Sequence, residues 1–123
     1  MARAKPKSPE EHFMPPDYWI DMTEAPPSSA MTATGFQRNA RWFWAQLLRA
    51  HPELFGPKNR HLINRSQAPE VDDTWIKHHP WHAMYLGDIL VHHHIEQSYW
   101  AAGIPKHFHS LVHRELHPGT YGP

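Results

Sequence analysis

The arrangement of histidines in the C-terminal half of the chain constrains its fold more than any other feature. An apolar run at residues 87–91 ends in three consecutive histidines, at residues 92–94, and a further pair, His109 and His113, follows fifteen residues later. A strand that ends in adjacent histidines can pack against a helix that carries two more, one turn apart. Such a unit can bring three imidazoles to one metal ion and leave a fourth beside it as a base. The pattern therefore predicts metal-assisted hydrolysis.

Chain length and cysteine content limit how this unit can be stabilised. The 123 residues fit one small domain with a modest core. Histidine (13), proline (13) and tryptophan (6) are frequent for a globular protein, and cysteine is absent. Because there is no disulfide and no thiolate ligand, any metal ion must be bound by histidine and carboxylate.

No segment indicates a membrane partner. No apolar stretch approaches the ~20 residues that span a bilayer, and residues 1–7 lack the apolar core of a signal peptide. We therefore expect no membrane association. If the protein leaves its cell, another component carries it.

Charge is balanced over the whole chain but not along it. Twelve basic and twelve acidic residues cancel. Residues 35–66 contain six arginines and lysines and one acid, while residues 9–24 contain five acids and no arginine or lysine. The basic segment could form a face for a polyanion or an acidic partner, or its charges could simply solvate helix surfaces.

The N-terminal part of the chain is expected to be largely irregular. Residues 1–33 are rich in proline and are predicted to form a leader or linker ahead of a folded domain at residues 34–123. An aromatic cluster in this leader should nevertheless dock on the core. Its members are Phe13, Tyr18, Trp19 and Ile20.

Helices are predicted to open the folded domain. Apolar residues at helical spacing indicate one helix over residues 34–49, and a proline at the first turn indicates a second over residues 57–66. Residues 69–80 are interpreted as a connector, which could include a short strand at Val71 and residues 75–76.

The two histidine sets fall in a strand, strand, helix unit at about residues 85–118. Residues 85–95 are rich in β-branched and apolar side chains and suit a strand, and residues 99–104 suit a return strand. A helix should then begin at Pro105. The fold class predicted for the whole chain is therefore α+β, a small single domain with N-terminal helices.

The register of this unit is open at two places. Strict alternation along a strand puts His92 and His94 on one face and His93 on the other, unless a bulge or the strand end falls at His93. On the helix, His117 follows His113 at the same spacing as His113 follows His109. The residue pattern alone therefore leaves the ligand set undecided.

A separate group of histidines precedes the unit. His78, His79 and His82 lie around Pro80 and Trp81. The group could be a structural metal site, a phosphate-binding loop or an exposed turn.

The C-terminal unit resembles the HNH, or ββα-metal, nuclease superfamily. The likeness is carried by Val-His-His-His-Ile at residues 91–95, Ile-Pro at 104–105 and His-x-x-x-His at 109–113. This order is similar to that of the DNase colicins, in which two adjacent strand histidines precede a helical His-x-x-x-His. Upstream, residues 43–44 and 51–55 resemble the lead-in of nuclease toxin domains at the C-termini of Rhs-type bacterial polymorphic toxins. The resemblance covers roughly residues 36–119 and implies a C-terminal ββα-metal motif.

The resemblance implies a role for each residue of the unit. The general base would be His94, the metal ligands would be His93, His109 and His113, and the accessory residues would be His92, His117 and Arg114. Family members often have an asparagine before the helix that orients the base. Residues 96–105 contain none, so Gln97 or a backbone carbonyl would have to orient it here.

The implied activity is that of a metal-dependent endonuclease that cleaves DNA with little sequence preference, as an antibacterial toxin domain. It would use one divalent ion, Zn²⁺, Ni²⁺, Mg²⁺ or Mn²⁺, and would have a cognate immunity protein. As a secreted or delivered effector it would act in the cytoplasm of the target cell. Two other functions stay open, a non-catalytic histidine-rich zinc-binding interaction module and an RNA-cleaving metal hydrolase.

Overall fold

The structure is a computed structural model that describes residues 14–27, 30–31, 38–95 and 98–110. Its α-helices are α1 (Arg38–Ala50), α2 (Pro57–Asn64) and α3 (Asp73–His78), and its strands are β1 (Ile20–Asp21), β2 (Leu90–His94) and β3 (Trp100–Pro105). Single 3₁₀ turns lie at Pro16–Tyr18, Pro52–Leu54 and Pro80–Tyr85, and residues 106–110 are helical. The predicted α+β class is confirmed.

The three strands form one antiparallel sheet in the order β1-β3-β2. The central strand β3 is buried along its whole length. Because residues 106–110 follow β3 directly, β2, β3 and this helical segment form a strand, strand, helix unit. The chain therefore holds His109 of the second histidine set next to the sheet that carries the first.

Helices α1 and α2 arise from the sequence features that predicted them. On α1, Phe43, Trp44 and Leu47 follow helical spacing and are buried, and the helix ends before Pro52 as expected. The predicted start of this helix, at residue 34, lies outside the described residues. Helix α2 begins at Pro57, whose fixed φ suits the first turn.

The aromatic residues before α1 dock on the core, as predicted. Trp19 is buried and its indole N–H donates to the Met14 carbonyl at 2.8 Å. Ile20 pairs with Ala101 of β3, and Tyr18 packs against the core. Phe13 lies outside the described residues. The division of the chain at residue 33 stays a prediction. Residues 16–21 precede it and nevertheless contribute to the sheet and the core.

The predicted short strand at residues 75–76 is wrong, because these residues belong to α3. The Asp72 carboxylate accepts a hydrogen bond from the Trp75 N–H at 2.9 Å and caps the helix N-terminus. This cap satisfies a backbone group that a strand would have to pair elsewhere, and it outweighs the β preference of Trp75 and Ile76. Val71 lies just before the cap and is buried.

The predicted limits of the C-terminal unit need two corrections. Strand β2 begins at Leu90 and not at residue 85, because residues 80–85 form a 3₁₀ turn and Gly87 has a φ of +89° that breaks the extended run. Pro105 does not open the helix, since it is the last residue of β3 and pairs with Leu90. Residues 96–97, predicted as part of the turn, and the predicted continuation of the helix beyond residue 110 lie outside the described residues.

Candidate functional site

The three consecutive histidines alternate between the two faces of β2. The strand pairs residue for residue with β3 from Leu90 to His94, so it contains no bulge. The His92 ring stacks on Phe43 of α1 at 5.6 Å between centroids, and the His92 and His94 rings lie 5.6 Å apart. The bulge or strand end considered at His93 is therefore wrong: His92 and His94 share the face towards α1, and His93 points to the other face.

His93 meets the second histidine set on that other face. Its side chain is buried, and its ring centroid lies 5.2 Å from that of half-buried His109, edge to face. Residues 106–110 are helical, as the spacing predicted, so the helix brings His109 to the strand. His113, His117 and Arg114 lie outside the described residues.

The contact between His93 and His109 suits a shared metal ion. Two imidazoles bound to one tetrahedral ion at the usual metal to nitrogen distance would have their centroids roughly 5 Å apart. Within the described ranges, no group of three histidine, aspartate or glutamate side chains lies close enough to hold an ion. The described residues thus account for two of the three predicted ligands.

His94 is oriented by the backbone beyond the strand. Its Nδ1 lies 2.8 Å from the carbonyl oxygen of Ser98. A carbonyl can only accept a hydrogen bond, so Nδ1 carries a proton, and in the neutral ring Nε2 has the lone pair. Sequence reasoning allowed a backbone carbonyl in this role but could not name Ser98, because a backbone acceptor has no residue signature.

His92 lies where a charged imidazole is disfavoured. Burial, together with the nearby His94 and His109, lowers the pKa of His92 to about 4. At neutral pH the ring is therefore uncharged, and it packs between the Phe43 and His94 rings.

In the upstream group at residues 78–82, His79 and His82 are buried and stack with Trp75, so the exposed-turn interpretation is wrong for these two residues. The Trp75 indole N–H donates to His82 Nδ1 at 2.9 Å, while the His79 ring lies parallel to Trp75 at 4.2 Å. His79 Nδ1 donates to the Trp75 carbonyl at 3.2 Å, and its buried Nε2 has no hydrogen-bond partner among the residues that the structure describes. Desolvation by burial, then His82, lowers the pKa of His79 to about 3. These rings stabilise the core beside the site.

A family model described as an HNH/Endo VII superfamily nuclease toxin with a HHH motif, Tox-HNH-HHH, matches residues 16–118. The chain belongs to this family. As a Tox-HNH-HHH member it is a nuclease toxin domain, and its substrate is a nucleic acid. The match begins ahead of residue 36, where the sequence resemblance began, and takes in β1. The one run of three histidines in the sequence lies on β2, within the matched residues.

No curated protein and no solved structure matches the chain. Across the described ranges, no helix is long and apolar enough to cross a membrane.

Proposed function

We propose that this Tox-HNH-HHH domain is a metal-dependent endonuclease that hydrolyses DNA phosphodiester bonds with low sequence specificity. One observation carries the proposal: His93 on β2 and His109 on the following helical segment lie with their rings 5.2 Å apart, next to the oriented His94. Phosphodiester hydrolysis needs a base, charge stabilisation at phosphorus and assistance to the leaving oxygen. The two histidine sets can divide this work.

In this proposal His94 is the general base. The Ser98 carbonyl holds the proton on Nδ1, so Nε2 can take a proton from the attacking water. His93, His109 and His113 would hold the divalent ion, which stabilises charge on the phosphate when bound. His93 and His94 lie on opposite faces of β2, the edge strand of the described sheet, so the proposed ion and base would flank its open edge.

The identity of the ion follows from the donor set. Imidazole ligands favour Zn²⁺ or Ni²⁺ for affinity, whereas Mg²⁺ or Mn²⁺ prefers oxygen ligands. We therefore expect Zn²⁺ and Ni²⁺ to bind most tightly. Cleavage should be measured with Mg²⁺ and Mn²⁺ as well, because tight binding and fast turnover need not occur with the same ion.

The basic segment at residues 35–66 supports a polyanionic partner. The six arginines and lysines of this segment are all exposed, namely Arg38, Arg41, Arg49, Lys58, Arg60 and Arg65. Such residues can contact DNA phosphates, and an acidic immunity protein in the producing cell could cover the same face. We propose an antibacterial role for the domain, as a delivered effector that acts in the cytoplasm of the target cell.

The test is incubation of the purified protein with supercoiled plasmid and with RNA, each with Zn²⁺, Ni²⁺, Mg²⁺ or Mn²⁺ and with EDTA. The proposal expects plasmid cleavage that depends on the added ion and is lost in EDTA. Cleavage of RNA in preference to DNA would favour an RNA-cleaving hydrolase. Cleavage of neither substrate with any ion would contradict the nuclease proposal and leave a zinc-binding module.

The matched variants are His94→Ala and His61→Ala. His61 lies exposed on α2, away from β2, so its loss should leave cleavage unchanged. Normal cleavage by His94→Ala would contradict the assignment of the base while leaving the nuclease activity in place.

A further inference from the structure

The helical segment that carries His109 is bonded to a carboxylate nineteen residues earlier. The His107 backbone N–H donates to Asp88 Oδ2 at 2.9 Å, and the His107 ring Nδ1 donates to Asp88 Oδ1 at 2.9 Å. Asp88 Oδ1 also accepts from the Ile89 N–H at 3.0 Å. The Asp88 side chain is only 11% exposed, while His107 is 80% exposed. The carboxylate is therefore the fixed partner in this contact.

Asp88 does the work that a local cap does in most helices. The first N–H groups of a helix have no partner within it, and an Asp, Asn, Ser or Thr just before the helix usually accepts one of them. Here the preceding residue is Pro105, the end of β3, whose side chain has no acceptor. Asp88 supplies the missing acceptor from the start of the neighbouring strand.

Three further contacts fix the same segment. The Lys106 N–H donates to the Ile89 carbonyl at 2.8 Å, beside the first residue of β2. The Phe108 ring lies 5.8 Å from Tyr85 and 6.4 Å from His82. Lys106 thus attaches the segment to the start of β2. Phe108, one residue before His109, packs it against the rings of Tyr85 and His82.

We propose that Asp88 is a positioning residue of the metal site: by capping the helical segment from the start of β2, it sets the position of His109 relative to His93. Asp88 ties together the strand that carries one ligand and the helix that carries the other. It touches neither ion nor substrate in this role. The inference rests on the proposed metal site and adds to it a residue that no motif identifies.

The experiment is a titration of the purified, folded chain with Co²⁺, followed by visible absorption, for the wild type and four variants. Asp88→Ala should weaken Co²⁺ binding by about 10- to 100-fold, the usual effect of losing a group that orients a metal ligand. Asp88→Asn keeps one acceptor oxygen for the His107 N–H but turns its NH₂ group towards the Ile89 N–H, so its Co²⁺ affinity should fall between those of the wild type and Asp88→Ala. Asp88→Glu should bind less well than Asp88→Asn, because its carboxylate is displaced by one methylene.

Glu53→Gln is the matched control, since it removes an acid from a 3₁₀ turn outside this unit and should leave Co²⁺ binding unchanged. Far-ultraviolet circular dichroism checks that each variant is folded, and the pair Asp88→Asn and Asp88→Glu decides the matter if Asp88→Ala does not fold. Wild-type Co²⁺ affinity in Asp88→Ala would overturn the inference. Tight Co²⁺ binding by Asp88→Glu together with loss of Co²⁺ binding in Asp88→Asn would also overturn it, because the negative charge of residue 88 would then determine the affinity. Absence of Co²⁺ binding in the wild type would instead overturn the proposed metal site, and the role of Asp88 with it.

Discussion

His79 is a buried histidine whose charge is strongly constrained by its surroundings. Its ring is fully buried against Trp75, with the His82 ring parallel to it at 5.5 Å and Tyr18 at 5.7 Å. Its pKa falls from 6.5 to about 3 because burial removes water from the charged form and because His82, and less strongly His78, would repel it. The folded state therefore accepts a neutral ring only.

Acid should destabilise the protein through His79. Between pH 6.5 and about 3 the unfolded chain takes up a proton that the folded ring refuses, so the free energy of unfolding falls as pH falls. The contribution is at most about 1.4 kcal/mol per pH unit. Urea denaturation at pH 7.5 and 5.5 should show a larger loss for the wild type than for His79→Gln, with exposed His61→Gln as the control. Equal losses in the wild type and His79→Gln would contradict the account.

Gly103 is required where β3 passes under a tryptophan. A Cβ at this position would lie 2.7 Å from Trp44 Cη2 and 3.2 Å from Trp75 Cη2, and both rings are fully enclosed. Gly103→Ala should therefore lower the free energy of unfolding by about 1–3 kcal/mol, the usual cost of overpacking. Urea denaturation measures this change in the free energy of unfolding. In the double variant Gly103→Ala, Trp44→Phe, the smaller ring should relieve part of the clash, so the two substitutions together should cost less than the sum of the single ones. An unchanged midpoint in Gly103→Ala would show that the core can absorb the methyl group.

At the scale of elements, Asn59 joins α2 to α3. Its amide donates to the Glu70 carbonyl at 2.8 Å and to the capping Asp72 at 3.1 Å, and its oxygen accepts from the Glu70 N–H at 2.8 Å. The side chain is fully buried. The position of α3, and of the ring stack that it carries, therefore depends on one polar side chain of the preceding helix.

Asn59→Ala should destabilise the domain by about 1–3 kcal/mol, because it leaves buried backbone groups without partners. The neighbouring Lys58→Ala removes an exposed ion pair with Glu70 and should cost less than about 1 kcal/mol. Thermal denaturation of both variants compares the two effects. A cost for Lys58→Ala as large as that for Asn59→Ala would argue against this role of Asn59.

The elements that the sequence predicted well are those with strong local patterns. Phe43, Trp44 and Leu47 follow helical spacing in α1, and the contact between His93 and His109 follows from adjacent strand histidines and a helical one. Single polar contacts decided the rest. Helix α3 depends on its Asp72 cap, the orientation of His94 on the Ser98 carbonyl, and the start of the C-terminal helical segment on Asp88 nineteen residues earlier. An aspartate cap can be recognised in a sequence, but a backbone acceptor and a contact between two separate elements have no residue signature.

At the scale of the whole molecule, the metal site should couple to folding. Two of the predicted ligands, His93 and His109, lie on β2 and on the helical segment after β3, so an ion held by them would bind the folded state much better than the unfolded one. An ion at one hundred times its Kd should stabilise the fold by about 2.7 kcal/mol. Differential scanning calorimetry should therefore show a higher Tm with Zn²⁺ for the wild type and not for His93→Ala. A Tm increase that His93→Ala retains would place the ion elsewhere.

The most direct test of the account measures cleavage and metal binding together in His93→Ala and His94→Ala. The account predicts that His94→Ala binds Co²⁺ as the wild type does but cleaves plasmid about 10²- to 10⁴-fold more slowly, the usual effect of losing a general base. His93→Ala should lose both binding and cleavage. If His94→Ala loses Co²⁺ while His93→Ala keeps it, the ion is held on the α1 face of β2 and the assignment of ligand and base is contradicted.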